Sequence, residues 1–220
     1  MDVWLTYAPY IWFDLKEPFY PERVGVTVIT EPGDSPSFRR SFPFTQKGLQ
    51  QIIEYAIWWD YEIGHLYELE HVWVYVGSNG EVLDCEASFH GRVLKGLRKD
   101  RSNLLDATHV QLYSQPGKHA FSPLPELFEL LPDAEAAASA LAGNDGLLIN
   151  ELFQDKLSTN EEINGWVRRY LQTYAFSPAF AYKQHPLSPQ LFTSWEQLKE
   201  EIPLRIAARV KQLAELYGAR

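Results

Sequence analysis

The chain has 220 residues, of which 14% are aromatic and 45% hydrophobic, and it carries a formal net charge of −9. This length suits one domain with a sizeable core, and this hydrophobicity excludes an intrinsically disordered chain. The acidic charge, together with a basic pair as short as Arg39 and Arg40, argues against nucleic acid as a partner, because duplex binding needs clustered Lys and Arg.

The cysteine content and the apolar runs limit the class of protein further. Cys85 is the single cysteine, which excludes an intramolecular disulfide and a cysteine-based zinc motif. The first residues show no basic region followed by an apolar stretch, and no run of about 18 apolar residues occurs. We therefore expect a cytoplasmic protein without a signal peptide or a membrane span.

The first half of the chain predicts β-strands. The predicted strands cover residues 24–30, 54–60, 69–76, 81–88 and 109–114. In the third of these, Val72, Val74 and Val76 alternate with His71 and two aromatic residues, which is the period of a strand. The turn signal at residues 78–80, Ser-Asn-Gly, joins this strand to the next one and predicts an antiparallel hairpin.

The second half predicts α-helices, so the fold class is α+β. Short helices are expected over residues 124–131 and 134–142, and a longer one after a cap at Thr159. Ser194 and Gln197 resemble a capping box that begins a last helix. Pro203 lacks an amide proton, so it should kink or split that helix.

Two acidic residues share a face at the head of the predicted hairpin. Glu68 and Glu70 are two positions apart in a strand, and the same face continues as Val72 and Val74. Burying two unpaired carboxylates there is costly. A divalent cation or a salt bridge to Lys or Arg would each solve this, and the nearby sequence is poorer in basic residues than in His.

Three histidines are expected at the same edge of the sheet. His65 precedes the strand, His90 follows the return strand of the hairpin, and His119 follows the strand at residues 109–114. Neutral imidazole is a common ligand for transition metals. We therefore predict one divalent metal ion (Zn, Mn, Mg or Ca) held by His65, Glu68, Glu70, His90 and His119. The alternative is that these His are packed or surface residues and the Glu are solvated.

Four stretches resemble the necrosis-inducing protein superfamily, and its vacuolar-protein-sorting-like members still more closely. The resemblance lies in its heptapeptide signature, an N-terminal Ala-Pro and Tyr/Pro pattern, an Ala-Ser-x-His-Gly strand end and a Gly-His-Ala-x-x-Pro segment. In this chain they correspond to Gly64–Val72, Tyr7–Pro9 with Glu17–Pro21, Ala87–Gly91 and Gly117–Pro123. The order and spacing agree over about the first 125 residues.

The resemblance implies an antiparallel β-sandwich core over residues 1–125 with a divalent metal at one end. We expect residues 126–220 to form a helical extension packed on this core in one compact domain. Carried over by position, the ligands are His65, Glu68 and Glu70, with Asp60 as the candidate for an upstream Asp. The sequence departs from the family pattern at Glu68, where the family has Asp, and at Leu69, where it has Trp. The family's toxins are secreted and disulfide-bonded and act on plant membranes, an activity that we do not assign to a chain with one cysteine.

Neighbouring residues allow further interpretations. Glu62 is either a hydrogen-bond partner for a ligating His or, as we favour, a solvated loop residue. Glu17 either lines the site or begins a turn. The paired Trp58 and Trp59 are better core residues than a stacking platform.

Three functions fit this sequence. The first is a metal-dependent hydrolase of an ester or phosphoester, with Glu70 as general base and His119 or Lys118 stabilising an oxyanion. The alternative is a module in which the metal clamps a small molecule, a glycan or a lipid headgroup without catalysis. A purely structural metal with four closed ligands is the third.

Overall fold

The computed structural model describes residues 3–218. The first eight strands are β1 Tyr10–Asp14, β2 Arg23–Ile29, β3 Gly33–Asp34, β4 Ser41–Phe42, β5 Leu49–Tyr61, β6 Leu66–Gly77, β7 Val82–Phe89 and β8 Arg92–Lys95. The others are β9 Leu104–Leu105, β10 His109–Ser114, β11 Phe121–Ser122, β12 Tyr182–His185 and β13 Phe192–Ser194. The helices are α1 Val3–Tyr7, α2 Glu126–Glu129, α3 Ala134–Ala138, α4 Glu161–Gln172 and α5 Trp195–Tyr217, with single 3-10 turns at Glu151–Phe153 and Pro189–Leu191.

The larger sheet has the order β13-β2-β5-β6-β7-β8 and is built around two long strands. β5 and β6 are 13 and 12 residues long and pair antiparallel, with Ile57 opposite Glu70 and Trp59 opposite Glu68. The predicted hairpin is confirmed as β6 and β7, with Gly80 at φ +79° in its turn. The predicted strand at 54–60 is only the second half of β5.

The smaller sheet has the order β11-β10-β1-β12, with β9 pairing on β10. It packs on the larger sheet through aromatic contacts: the ring of Trp59 in β5 lies 6.4 Å from Phe13 in β1 and 6.1 Å from Phe121 in β11. These three side chains, like Trp58 and Cys85, are fully buried. The predicted α+β class with a β-sandwich core is confirmed, although the pairs β1–β10 and β13–β2 are parallel.

The last helix covers the outer face of the larger sheet. Gly25 in β2 permits this close approach, because a Cβ there would lie 2.9 Å from Cδ2 of Leu198. Ser194 caps the helix by accepting a hydrogen bond from the Gln197 amide at 3.2 Å, as predicted. The predicted split at Pro203 is wrong. Buried residues on both sides of it, Ile202 and Ile206 among them, hold one continuous helix on the core.

Residues 126–220 supply strands as well as helices. β12 joins the smaller sheet beside β1, and β13 joins the larger sheet beside β2. α2 and α3 are shorter than the sequence predicts, and Asn160, not Thr159, caps α4. Among residues 3–218, no helix is both long enough and apolar enough to span a bilayer.

Candidate functional site

Glu68 and Glu70 lie on the inner face of β6. Residues that pair across antiparallel strands share a face, so Glu68 lies on the side of Trp59, which packs against the smaller sheet. Asp60 is the next residue along β5 and therefore lies on the opposite face. This arrangement puts the two glutamates together, as expected, but separates them from Asp60.

Glu70 is a buried carboxyl group without a basic partner. It accepts a hydrogen bond from the Ser88 hydroxyl, and among the described residues no Lys or Arg forms a salt bridge with it. Burial, followed by the negative charge of Glu68, raises the pKa of Glu70 well above its ordinary value. Burial and Glu68 thus favour the protonated form of Glu70 relative to an exposed glutamate.

Glu62 forms a buried ion pair with Lys118. Its Oε1 lies 2.6 Å from Nζ of Lys118, and its Oε2 accepts hydrogen bonds from the amides of Gly64 and His65 at 2.7 and 2.9 Å. Burial alone would raise the pKa of Glu62, but the charges of His65 and Lys118 hold it below the ordinary value. The expectation that Glu62 is a solvated loop residue is wrong, because its side chain is completely buried.

His65 lies between two carboxylates. Its Nε2 is 3.4 Å from Oε2 of Glu62 and 3.7 Å from Oε2 of Glu68. These distances place the imidazole beside one of its predicted co-ligands.

His119 is held deeper in the core. Its ring stacks on Trp59 at 4.6 Å between centroids, and its Nε2 lies 3.2 Å from Oε1 of Glu17. The other oxygen of Glu17 accepts a hydrogen bond from the Gly117 amide at 2.7 Å. Glu17 thus lies in the interior beside His119, and its amide also closes a turn by donating to the carbonyl of Asp14 at 3.1 Å, so both alternatives for this residue stay open.

A cavity of about 840 Å³ opens beside the part of β6 that β7 leaves uncovered. Backbone pairing between these strands starts at Val72 and Ala87, so Glu68–Glu70 have no strand partner on this side, while the amide of His71 donates to the Ser88 hydroxyl at 2.6 Å. We call this space the rim cavity; its walls are Ser35–Arg39, Glu68–His71, His90–Gly91, Ile149–Leu152 and Gln154. Of the five predicted ligands other than Asp60, it brings together Glu68, Glu70 and His90.

His90 meets the cavity at the end of the hairpin. Its backbone is left-handed, with φ +50°, and Gly91 follows at φ +74°. Its Nε2 lies 2.7 Å from the side-chain oxygen of Gln115. The imidazole is therefore oriented by an amide and not by a glutamate.

Asp60 is bound by two arginines from α5. It receives hydrogen bonds from Arg205 at 2.8 and 2.9 Å, from Arg209 at 2.7 and 3.0 Å and from the Trp58 indole at 2.8 Å. Burial alone would raise the pKa of Asp60, but these partners lower it. Here the carboxylate ties the helix to the sheet.

A metal site in a protein needs several ligand side chains that converge on one point. Within residues 3–218, no three His, Cys, Asp or Glu side chains are placed so that they could hold one metal ion. His119, His90 and Asp60 are oriented by Glu17, Gln115 and two arginines. The residues as arranged do not fit a metal, and the predicted metal and its ligand set stay predictions.

Several residues at the cavity carried no sequence signal. The loop at Ser35–Phe38 is fixed by Glu54, which accepts hydrogen bonds from the hydroxyls of Ser35 and Ser37 and, at 2.7 Å, from the Trp73 indole. His71 lies beneath this loop with its ring parallel to that of Trp73, and burial lowers its pKa to about 3. Only the alternation of β6 indicated that His71 faces away from Glu70.

Comparisons with known proteins give a partial structural likeness. No family model and no curated protein matches the chain. Necrosis and ethylene inducing protein 2, from the causal agent of cocoa's witches' broom disease, is 19% identical at a TM-score of 0.38, covering 56% of this chain and 67% of its own. NLPPya in complex with glucosamine (16% identical) and with mannosamine (17% identical) has a TM-score of 0.37 in each case, covering 55% of this chain and 64% of its own.

One of these neighbours is a necrosis and ethylene inducing protein, but at such TM-scores it carries no argument for the family, and the resemblance, with its vacuolar-protein-sorting part, stays a prediction. Identities below 20% and TM-scores below 0.4 describe part of a fold and no activity. The candidate site therefore depends on this chain's own residues: a rim cavity with two neighbouring carboxyl groups, beside a buried ion pair.

Proposed function

We propose that the chain is a binding module that holds a carbohydrate, specifically a sugar with an ammonium group, in the rim cavity. The observation that carries this proposal is the pair Glu68 and Glu70, which share one wall of the cavity without a Lys or Arg salt bridge among the described residues. An ammonium group next to them would be an opposite charge that offsets the effect of burial on Glu70 and favours its ionised form. Charge-assisted hydrogen bonds of this kind are about twice as strong as neutral ones.

The remaining walls suit the rest of a sugar. His90 and Asn150 offer polar groups for hydroxyls, while Phe38, Leu69 and Leu152 supply apolar surface for the ring carbons. Ligand sites commonly combine an apolar lining with a few polar groups that fix orientation. A volume of about 840 Å³ accepts more than one sugar ring.

Calorimetric titration with glucosamine and glucose tests the proposal, with mannosamine as a second amino sugar. The two amino sugars are those found with NLPPya, and here they serve only as probes. We expect glucosamine to bind more tightly than glucose. Glu70→Gln should weaken glucosamine binding by roughly 10-fold or more, because a hydrogen bond to a charged group contributes about 1.5–3 kcal/mol.

The matched control is Glu161→Gln, an exposed carboxylate at the start of α4. Equal affinities for glucosamine and glucose, or equal losses in both variants, would remove the ammonium sugar from the account. Stronger binding to vesicles that display phosphoethanolamine than to either sugar would replace the glycan by a lipid headgroup.

Metal-dependent hydrolysis of an ester or phosphoester stays a prediction. In this hypothesis Glu70 is the general base, which must reach the water that it activates, but Glu70 is buried and accepts a hydrogen bond from the Ser88 hydroxyl. The other two candidates, Lys118 and His119, already contact Glu62 and Glu17. Turnover by metal-loaded protein that disappears in Glu70→Gln would favour the hydrolase over the binding module.

A further inference from the structure

We infer that the ammonium group of Lys118 is the built-in cation of the acidic cluster at the sheet rim and occupies the role that the sequence assigns to a divalent metal ion. Its Nζ lies 2.6 Å from the fully buried Glu62. Glu68 and Asp145 act on Lys118 only through their charge, because among the described residues neither forms a salt bridge with it, so Glu68 stays available to a ligand in the rim cavity. We call these four residues, with His65, the Lys118 cluster.

The charged atoms of the Lys118 cluster converge around Gly64. A Cβ at this position would lie 2.9 Å from Nζ of Lys118, 3.0 Å from Oδ2 of Asp145 and 3.1 Å from Oε2 of Glu62. One ammonium and two carboxylates thus approach a point that stays free because residue 64 has no side chain. Of these two acids, Glu62 is the one that pairs directly with the ammonium, and Asp145 acts on it through charge alone.

Backbone hydrogen bonds fix the three segments that form the cluster. The amide of Ile63 donates to the carbonyl of Gly117 at 2.9 Å, and the amide of Asp145 donates to the carbonyl of Gly64 at 2.9 Å. Gly117 itself is pressed on Ile63, where a Cβ would lie 2.7 Å from Cγ2. These contacts fix the backbone of the turn that carries Lys118, and so the point from which its side chain reaches Glu62.

The ammonium group of Lys118 explains why His65 and Glu68, two of the predicted metal ligands, are not arranged around a metal ion. A buried carboxylate needs an opposite charge, and Lys118 supplies it from within the fold. His65 and Glu68 are then free of the geometric demands of a metal, which agrees with the absence of a three-residue metal cluster in the described part of the chain. The protein's stability should therefore be independent of divalent ions and of chelators.

Thermal unfolding and calorimetry with Mn²⁺, Ca²⁺ and Zn²⁺ test this inference on the wild type, Lys118→Met and Lys118→Arg. For the wild type and Lys118→Arg, we expect no stoichiometric binding at millimolar ion and no change in Tm with EDTA. Lys118→Met removes the charge but keeps much of the stem, so its Tm should fall and then rise again with Mn²⁺ or Ca²⁺. If Lys118 had a structural role alone, the Tm of Lys118→Met would fall and divalent ions would not restore it.

Two results would overturn the inference. One is a wild-type protein that binds one equivalent of a divalent ion and loses it in Glu68→Gln. The other is a folded Lys118→Met variant whose Tm ignores every ion. The wild-type titration decides the question by itself if Lys118→Met does not fold.

Discussion

Arg209 in α5 donates two hydrogen bonds to Oδ2 of Asp60 in β5, from Nη2 at 2.7 Å and from Nε at 3.0 Å. Arg205, one turn earlier, binds the same carboxylate through both of its oxygens. The buried carboxylate of Asp60 therefore fixes α5 on the larger sheet. Its two arginine partners follow Pro203, which lacks the amide proton for a helix hydrogen bond.

Asp60→Asn should destabilise the protein by about 2 kcal/mol in urea unfolding. The substitution keeps the shape but removes the charge that two arginines share, and hydrogen bonds to charged groups contribute about 1.5–3 kcal/mol. Glu22→Gln is the control, because Glu22 is exposed and lies 3.6 Å from Arg205; its effect should stay within about 0.5 kcal/mol. Equal effects of the two substitutions would contradict this role for Asp60.

Gly64→Ala should destabilise the protein by roughly 1–3 kcal/mol, because the new methyl group pushes against the Lys118 cluster. The matched control is Gly165→Ala in α4, where a Cβ meets no atom within 4 Å. There the substitution should stabilise by about 0.5–1 kcal/mol through the higher helix propensity of Ala. Thermal and urea unfolding of both variants measure the difference. If Gly64→Ala left the free energy of unfolding unchanged, the Lys118 cluster would be able to open at no cost.

His71 should make stability depend on pH in the acidic range. Its pKa is about 3 in the folded protein and 6.5 ordinarily, so between these values the unfolded chain binds more protons. Stability is therefore full above pH 6.5 and falls as the pH is lowered, with a contribution from His71 of up to about 1.4 kcal/mol per pH unit.

His71→Phe removes this titration and keeps a flat ring beside Phe38 and Trp73. Urea unfolding of wild type and variant at pH 4.5, 5.5 and 7.5 provides the comparison. We expect a smaller loss of stability in the variant between pH 7.5 and 4.5. Parallel curves for the two proteins would show that His71 is protonated without cost in the fold.

The sequence predicts those parts of the fold that depend on local patterns. The alternation of Val72, Val74 and Val76 and the Asn79-Gly80 turn are enough to place the β6–β7 hairpin. The same alternation puts Glu68 and Glu70 on one face, and Ser194 marks the start of α5. The short strands, such as β9 and β11, have two residues each and offer no period to detect.

The partners of the charged residues were not predictable, because they come from distant segments. Arg209 lies 149 residues from Asp60, and the register of β5 on β6, which puts Asp60 on the outer face, is a tertiary property. Lys118 was considered as an anion-binding group, whereas the fold uses it to pair Glu62. The His and Glu residues of this region thus predict where acidic groups lie close together, but they do not indicate that Lys118 pairs with Glu62 there.

We propose the rim cavity, beside the part of β6 that has no backbone pairing with β7, as the place where the chain binds its ligand. Amide chemical shifts of ¹⁵N-labelled protein, followed during a glucosamine titration, test this most directly. We predict saturable shifts at Ser35–Arg39, Glu68–His71 and Ile149–Leu152, and much weaker shifts in the Glu70→Gln variant. Unchanged spectra, or shifts confined to the second cavity around Arg98–Arg101, would contradict it.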